Sequence, residues 1–412
     1  MSDPSPSHSE VRRYAVLIAS LVFMVIGTGS VYFLVVALKL ISTEFDWPRV
    51  VPSTAYGLQY IGGGVGGIFM GWCLDRLGMG IPAVIAAVMI GLGTILTSYV
   101  TQPWELYAIY GVMLGFLGRS ALFSPLTANI TNWFADKKSM AVGVVGSGQA
   151  LSGAVWPPVF QYFFGEIGWR ETAVWYGVFV LVTMLPLVLI LRMKPPKAGS
   201  PGSRAAGAGD GQRSLSGLSP LRMQTMLSLA SIGCCVAMSL PLAHIVSHVT
   251  DLGYDASRGA EVLSLMLVCA SVSSFFGVGY LGTRFGGLRA IWIFSVAQAV
   301  FLASFAFVDG LTSVYVAAAL FGLGYGGILP CYPVIVREYL PPAEVGRRTG
   351  VVVLFAGSGM ALGSWLGGVM YDLTGSYDAA FLIGSAFNLA NMAVIATLIY
   401  ETRRDYAVRL AA

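Results

Sequence analysis

The chain has 412 residues, of which 56% are hydrophobic and only 11% charged, with a mean hydropathy of +0.75 and a formal net charge of +4. A soluble domain carries about 25% charged residues, so a water-soluble globular fold is excluded. The small net charge and basic runs of at most two residues exclude a nucleic-acid partner, and 51 glycines without a G-X-Y period exclude collagen.

The polar N-terminus (Met1 to Glu10) is followed by an apolar stretch too long for a signal peptide, which is therefore expected to stay in the mature protein. Apolar runs then recur at 14–38, 51–73, 81–100, 104–133, 139–164 and 170–191, and again at 223–249, 260–282, 289–308, 313–336, 348–371 and 378–400. Each is long enough to cross a hydrocarbon core about 30 Å thick. Between the sixth and seventh runs, Lys194 to Leu221 is rich in Pro, Gly, Ala, Ser and Arg without periodicity, and reads as a flexible linker. The expectation is an all-α membrane protein of twelve transmembrane helices in two pseudo-symmetric six-helix bundles. Its parts are an N-terminal bundle over 1–193, a cytoplasmic linker over 194–221 and a C-terminal bundle over 222–412.

Of the 24 Lys and Arg residues, 19 collect on one side if the N-terminus is cytoplasmic, while Lys39, Arg49, Arg170 and Arg258 lie on the other and Arg119 lies within a span. The positive-inside rule then places both termini and the linker in the cytoplasm. The halves also repeat each other. Gly71-Trp-Cys-Leu-Asp-Arg-Leu-Gly78 is echoed by Gly279-Tyr-Leu-Gly-Thr-Arg-Phe-Gly286, and Gly146-Ser-Gly-Gln-Ala-Leu151 by Gly357-Ser-Gly-Met-Ala-Leu362. Trp133-Phe134 matches Tyr339-Leu340 at nearly the same offset. Repeated halves of this kind suit a transporter with a midplane site between them.

With Gly71-x-x-x-Asp75-Arg76-x-Gly78 between the second and third spans, the chain resembles the major facilitator superfamily. Within it, the chain is similar to the bacterial relatives of monocarboxylate and oxalate/formate transporters. That resemblance is carried by Glu44-Phe-Asp-Trp47, Asn132-Trp-Phe134 before Lys137-Lys138, Pro157-Pro158, Gly168-Trp-Arg170, Pro241-Leu-Ala-His244 and Asp251-Leu-Gly253. It implies a charge clamp at Asp75 and Arg76 that stabilises the outward-facing state and breaks when the halves rock. Carboxylate carriers of the group place an arginine in span eight, where this chain has Ser273-Ser-Phe275-Phe276-Gly277.

Arg119 is the one basic residue far from any span end, 15 residues past Trp104 and so about 22 Å along a helix. A guanidinium there is costly unless an anion or water compensates it, which makes it the candidate counter-ion for a negatively charged solute. The alternative is a structural role, tying neighbouring carbonyls or pairing with a carboxylate. Tyr32, Gln59, Gln149, Tyr325, Tyr332 and Trp365 are candidate substrate contacts, with Tyr56, Tyr60 and Trp156 further members of that set; each alone is as compatible with packing or lipid contact. Tyr325 is the repeat counterpart of Arg119.

His244 and His248 lie one turn apart on span seven. Histidine changes charge between pH 5 and 8, so His244 is a candidate for proton coupling, against a plain interfacial pair; His248 reads as the latter. Two histidines, with Asp251 and Asp255 in a loop, make no metal site, and the five cysteines lie in apolar stretches without C-x-x-C spacing. The glycine-dense stretches lack G-K-[ST] and read as close helix packing between spans two and eleven and spans five and eight.

No constellation of nucleophile, base and acid is evident, so no enzyme and no cofactor are expected. The reading is a secondary transporter of small organic anions of the monocarboxylate class, proton-coupled or exchanging. It would act as a monomer in the cell inner membrane, with the lipid bilayer as its surroundings. Efflux of apolar or cationic drug-like compounds, and a non-transporting sensor, remain the alternatives.

Overall fold

The computed structural model describes residues 8–134, 138–193, 219–341 and 344–411; the expected linker lies outside these except for its last three residues, as does Lys137. Twelve helices follow in chain order: α1 (His8–Phe45), α2 (Val50–Leu77), α3 (Gly80–Thr97), α4 (Pro103–Trp133), α5 (138–167), α6 (169–191), α7 (Pro220–Asp251), α8 (256–285), α9 (Gly287–Phe307), α10 (Leu311–Tyr339), α11 (Val345–Thr374) and α12 (Asp378–Ala411). No strand occurs among the described residues. Even the shortest of the twelve, α3 with 18 residues, rises about 27 Å, close to the thickness of a bilayer core.

Local chemistry explains where the helices start and stop. Pro103 opens α4, and the Glu105 carboxylate accepts hydrogen bonds from the backbone N–H of Thr101 (2.7 Å) and Gln102 (3.0 Å). Ser219 and Asp255 cap α7 and α8, accepting from the N–H of Arg222 (3.3 Å) and Ser257 (2.8 Å). The run Lys138–Leu191 is broken into α5 and α6 by Gly168 at φ 81°. Gly78 and Gly286, the last residues of the repeated loop motif, have φ values of 77° and 80°. The two copies thus share a backbone turn that only glycine adopts cheaply.

By internal contacts the chain forms two units, Met1–Leu40 with Leu58–Pro201, and Ile41–Gly57 with Gly202–Ala412. The end of α1, the turn after it and the first turns of α2 therefore count with the second unit.

In the first unit α3 lies along α6, where Gly91 and Gly177 let the backbones approach. Trp156 of α5 donates through Nε1 to the Val25 carbonyl (2.9 Å) and Tyr176 of α6 donates to the Ile26 carbonyl, so an aromatic cluster with Phe160 is stitched to α1. In the second unit α7 packs on α11 and α12, α8 on α10 and α9 on α12. Asn388 donates to the Ser295 carbonyl (2.8 Å), and Asn391 to the Ser295 hydroxyl (3.0 Å) and to Asn388 Oδ1 (2.9 Å), joining α9 to α12 by polar contacts inside an apolar bundle.

Many of the glycines serve close packing, but against different partners from those expected, and Gly67 faces open space. Gly62 and Gly66 of α2 face the backbone of Gly111 and Phe116 on α4, Gly148 faces Met24 of α1, and Gly359 and Gly363 face Ile232 and Val236 of α7. The expected approach of α2 to α11 is found one to three turns earlier, at Gly57 against Ala361 and at Gly368 against Val50.

Candidate functional site

Arg119 sits where α4 departs from regular geometry. Ile109–Gly118 winds with wide π-type turns, and Arg119–Ala121 then tightens into a single 3-10 turn. Such irregular stretches re-aim side chains and occur often at functional sites. The wide turns lie against α2 at Gly62 and Gly66, where a side chain would collide with α4 backbone. Gly63, between those two, receives the Arg119 stem, whose Cδ stands 3.0 Å from the position a Cβ would take. The guanidinium lies over the Tyr60 ring, 4.1 Å from its centroid, an attractive placement of cation on π-face. Among the described residues no carboxylate pairs with it. Tyr32 of α1 is close enough to interact electrostatically with both Tyr60 and Arg119. The first unit therefore gathers one half-buried cation and two phenols from three helices, a set able to receive an anion.

The other expected contacts are placed as follows. Gln59 is fully buried beside α1, its Nε2 3.4 Å from the Ser30 hydroxyl and its Oε1 without a partner. Gln149 is half-buried on α5. In the second unit, Tyr325 is buried against Phe321, and Tyr332 is buried with its hydroxyl 3.3 Å from Cys234 Sγ. Trp365 is exposed on α11. Asp75 and Arg76 are both exposed at the end of α2, with the Arg76 guanidinium 4.9 Å from the Trp72 ring centroid. Among the described residues no ion pair engages either one. Asp75 borders a cavity of about 840 Å³ with Asn129, Asn132 and Arg192.

His244 is fully buried in the second unit. Its Nε2 meets the Ser364 carbonyl at 2.9 Å and its ring lies 4.9 Å from that of Tyr377. Tyr377 in turn accepts a hydrogen bond from Arg49 Nη1 (2.7 Å), and the Arg49 guanidinium pairs with Asp251. Sequence reasoning missed this cluster. Arg49 looked like an interfacial residue of the basic-poor side, and Asp251, expected in a loop, is the last residue of α7. The available signal was a charged residue right after Trp47-Pro48 at the start of a helix; nothing in the chain order pointed to partners more than 200 residues away.

Among the described residues, twelve helices, most of them apolar and long enough to cross a bilayer, with the Arg119 guanidinium inside one of them, define a polytopic membrane transporter. The family model "Major Facilitator Superfamily" matches residues 17–333 and 225–411, and the chain belongs to that superfamily. It is 27% identical to Monocarboxylate transporter 13 of Rattus norvegicus over 390 residues, covering 92% of this chain and 86% of the relative. It is 23% identical to the MFS transporter asaE of Aspergillus flavus over 310 residues, covering 74% and 67%. The fold matches that of the nucleoside transporter NupG with a TM-score of 0.72 at 12% identity, over 94% of this chain and 99% of the other. It also matches a bacterial homologue of the human lysosomal transporter Spinster, in an inward-facing and occupied conformation, with a TM-score of 0.68 at 15% identity over 99% and 97%. These relatives are transporters, and the chain is a transporter rather than an enzyme.

Proposed function

We propose that this protein is a secondary active transporter of small organic anions of the monocarboxylate class, coupled to protons or working by exchange, through alternating access. Arg119 recruits the anion, Tyr32 and Tyr60 orient it, and Gln149 and Trp365 are further contacts. Gln59, Tyr325 and Tyr332, being buried, set the shape of the walls. His244 is the residue of proton coupling, and Asp75 with Arg76 the clamp engaged in another conformation. The protein acts as a monomer in the cell inner membrane with both termini cytoplasmic.

The observation that carries this reading is the Arg119 guanidinium, kept in an apolar span against Tyr60 with no described carboxylate to neutralise it. The similarity to monocarboxylate transporters 13 and 12-B supports the substrate class. Uptake of radiolabelled lactate, pyruvate or oxalate into proteoliposomes at two pH values tests it. Saturable uptake lost in Arg119→Gln is expected. A second reading, efflux of apolar or cationic compounds, is favoured by the cation-free stretch Ser273 to Gly277 of α8. Absence of anion uptake together with saturable export of such a compound would overturn the anion reading.

A further inference from the structure

Arg49 is the hub of a polar cluster that anion recruitment leaves unused. Its side chain is 8% exposed, and its guanidinium faces both carboxylate oxygens of Asp251 at the end of α7, with Nη2 to Oδ1 at 2.8 Å. Nη1 also donates to the Tyr377 hydroxyl, and the guanidinium carbon lies 3.5 Å from the centroid of the Tyr371 ring. The backbone is held as well. The N–H groups of Arg49 and Val50 donate to Oδ1 (2.8 Å) and Oδ2 (2.9 Å) of Asp372, so a carboxylate from the end of α11 caps the start of α2. One short turn is thus clasped by α7, by α11 and by Tyr377 just ahead of α12, all inside the second unit.

His244 lies against this clasp. The Ser364 carbonyl that meets its Nε2 can only accept, so Nε2 carries the ring proton. Nδ1 is then a bare acceptor, and it is buried without a partner. The charged and titratable groups of the cluster are Arg49 from the turn, His244, His248 and Asp251 from α7, Tyr371 and Asp372 from α11, Tyr377 just ahead of α12 and Asp378 at its start; of these Tyr377 touches the His244 ring, while Asp251 and Asp378 act on His248. Asp309, before α10, acts on His248. Arg49 stands across Tyr377 from the imidazole: its guanidinium carbon is 5.5 Å from the centroid of the Tyr377 ring, which is 4.9 Å from that of His244.

The geometry points to Nδ1 of His244 as a proton-binding site that controls the Arg49 clasp. A proton taken up there puts an imidazolium next to the Arg49 guanidinium where little water screens them. It also creates a buried N–H that needs an acceptor. The Tyr377 hydroxyl, on the ring that lies 4.9 Å from the imidazole, is an acceptor that Arg49 now holds. Both effects draw partners away from Arg49 and free the α1–α2 turn from α7, from α11 and from Tyr377. Acid therefore loosens the clasp, and neutral or alkaline conditions keep it shut. The inference deepens the proposed proton coupling by assigning the element on which the proton acts.

Hydrogen–deuterium exchange of the intact protein in nanodiscs, without any substrate, reads the clasp through the Arg49 and Val50 amides that Asp372 protects. Exchange of the peptide containing them, corrected for intrinsic rates, is compared at about pH 7.5 and about pH 4, the acid arm lying below the range of a free histidine because the ring is buried. Severalfold faster exchange on the acid side is expected for the wild type. In His244→Gln it stays slow at both values, in Arg49→Gln it is fast at both, and His248→Gln keeps the wild-type response. His244→Asn repeats the test should the first variant fold poorly, with unchanged exchange in α3 as the control of integrity. A wild-type response that survives in both His244 variants, that disappears with His248→Gln, or that is missing altogether overturns the proposal. Since no substrate is present, failure here leaves anion transport standing, and failure of anion uptake leaves the exchange result untouched.

Discussion

Two adjacent glycines of α2 offer a test in which geometry and helix propensity call for opposite signs. Replacing glycine by alanine inside a helix contributes about 1 kcal/mol of stability through propensity alone. At Gly67 nothing lies within 4 Å of an added Cβ, so Gly67→Ala is expected to stabilise by up to about that amount. At Gly66 the same methyl would overlap the Phe116 carbonyl oxygen and stand 2.8 Å from its carbon and 2.9 Å from its Cα. Ordinary contact begins at 3.4 Å, so α2 and α4 must part by at least 0.6 Å, and the obstacle is backbone rather than a side chain able to swing away. Overpacking of this kind costs about 1–3 kcal/mol, which exceeds the propensity gain. The displaced segment ends at Arg119, three residues beyond Phe116, so anion affinity should suffer with stability. Thermal unfolding of the two variants in one detergent, followed by uptake in proteoliposomes, measures both effects. If Gly66→Ala melts at or above the wild-type temperature, the close approach of α2 and α4 does not constrain α4, and the account of how Arg119 is positioned fails.

Other expectations follow from single contacts. Arg119→Gln should weaken anion binding by about 1.5–3 kcal/mol, the worth of a hydrogen bond to a charged group, seen as a ten- to hundredfold rise in KM; an unchanged KM would remove Arg119 from the site. Asp251→Leu leaves the Arg49 charge buried and should cost about 3 kcal/mol in thermal or denaturant unfolding, while Arg49→Leu with Asp251→Leu recovers most of it; a double variant as unstable as the single would refute the pairing. Tyr332→Phe should leave KM within about twofold, since the hydroxyl meets only a thiol at 3.3 Å in a closed interior; a large rise would put substrate at that position. At Glu344, just ahead of α11, the hydrogen bond from Arg348 Nε (2.7 Å) holds the carboxyl below its ordinary range. Its contribution is complete above the ordinary carboxylate value of about 4.3 and lost as pH falls through the lower folded value, so Glu344→Gln should flatten the acid side of a melting profile. An acid limb identical to the wild type's would count against that pairing.

The number and nature of the helices were already decided by the order of residues along the chain. Hydrocarbon thickness fixes the length of an apolar run, and each run here is separated from the next by Gly, Pro or charge, so the twelve spans could be read without knowing any contact. The shared turn at Gly78 and Gly286 was legible for the same reason, as a local backbone demand repeated at a constant offset. Arg119 was visible too, because a lone charge in an apolar run is unusual whatever surrounds it.

What faces what was decided only by tertiary structure. The glycines announced close approach but not the partner: Gly62 and Gly66 meet α4, a choice that depends on how helices pack and on the wide turns of 109–118. Tyr332 and Trp365 look alike in sequence as aromatic residues within apolar spans, yet one is buried on a cysteine and the other exposed. Most of all, Arg49, Asp251, Tyr371, Asp372 and Tyr377 come together from three distant stretches. Periodicity reports which residues avoid water, whereas the pairing of charges depends on three-dimensional proximity, which one-dimensional spacing does not encode.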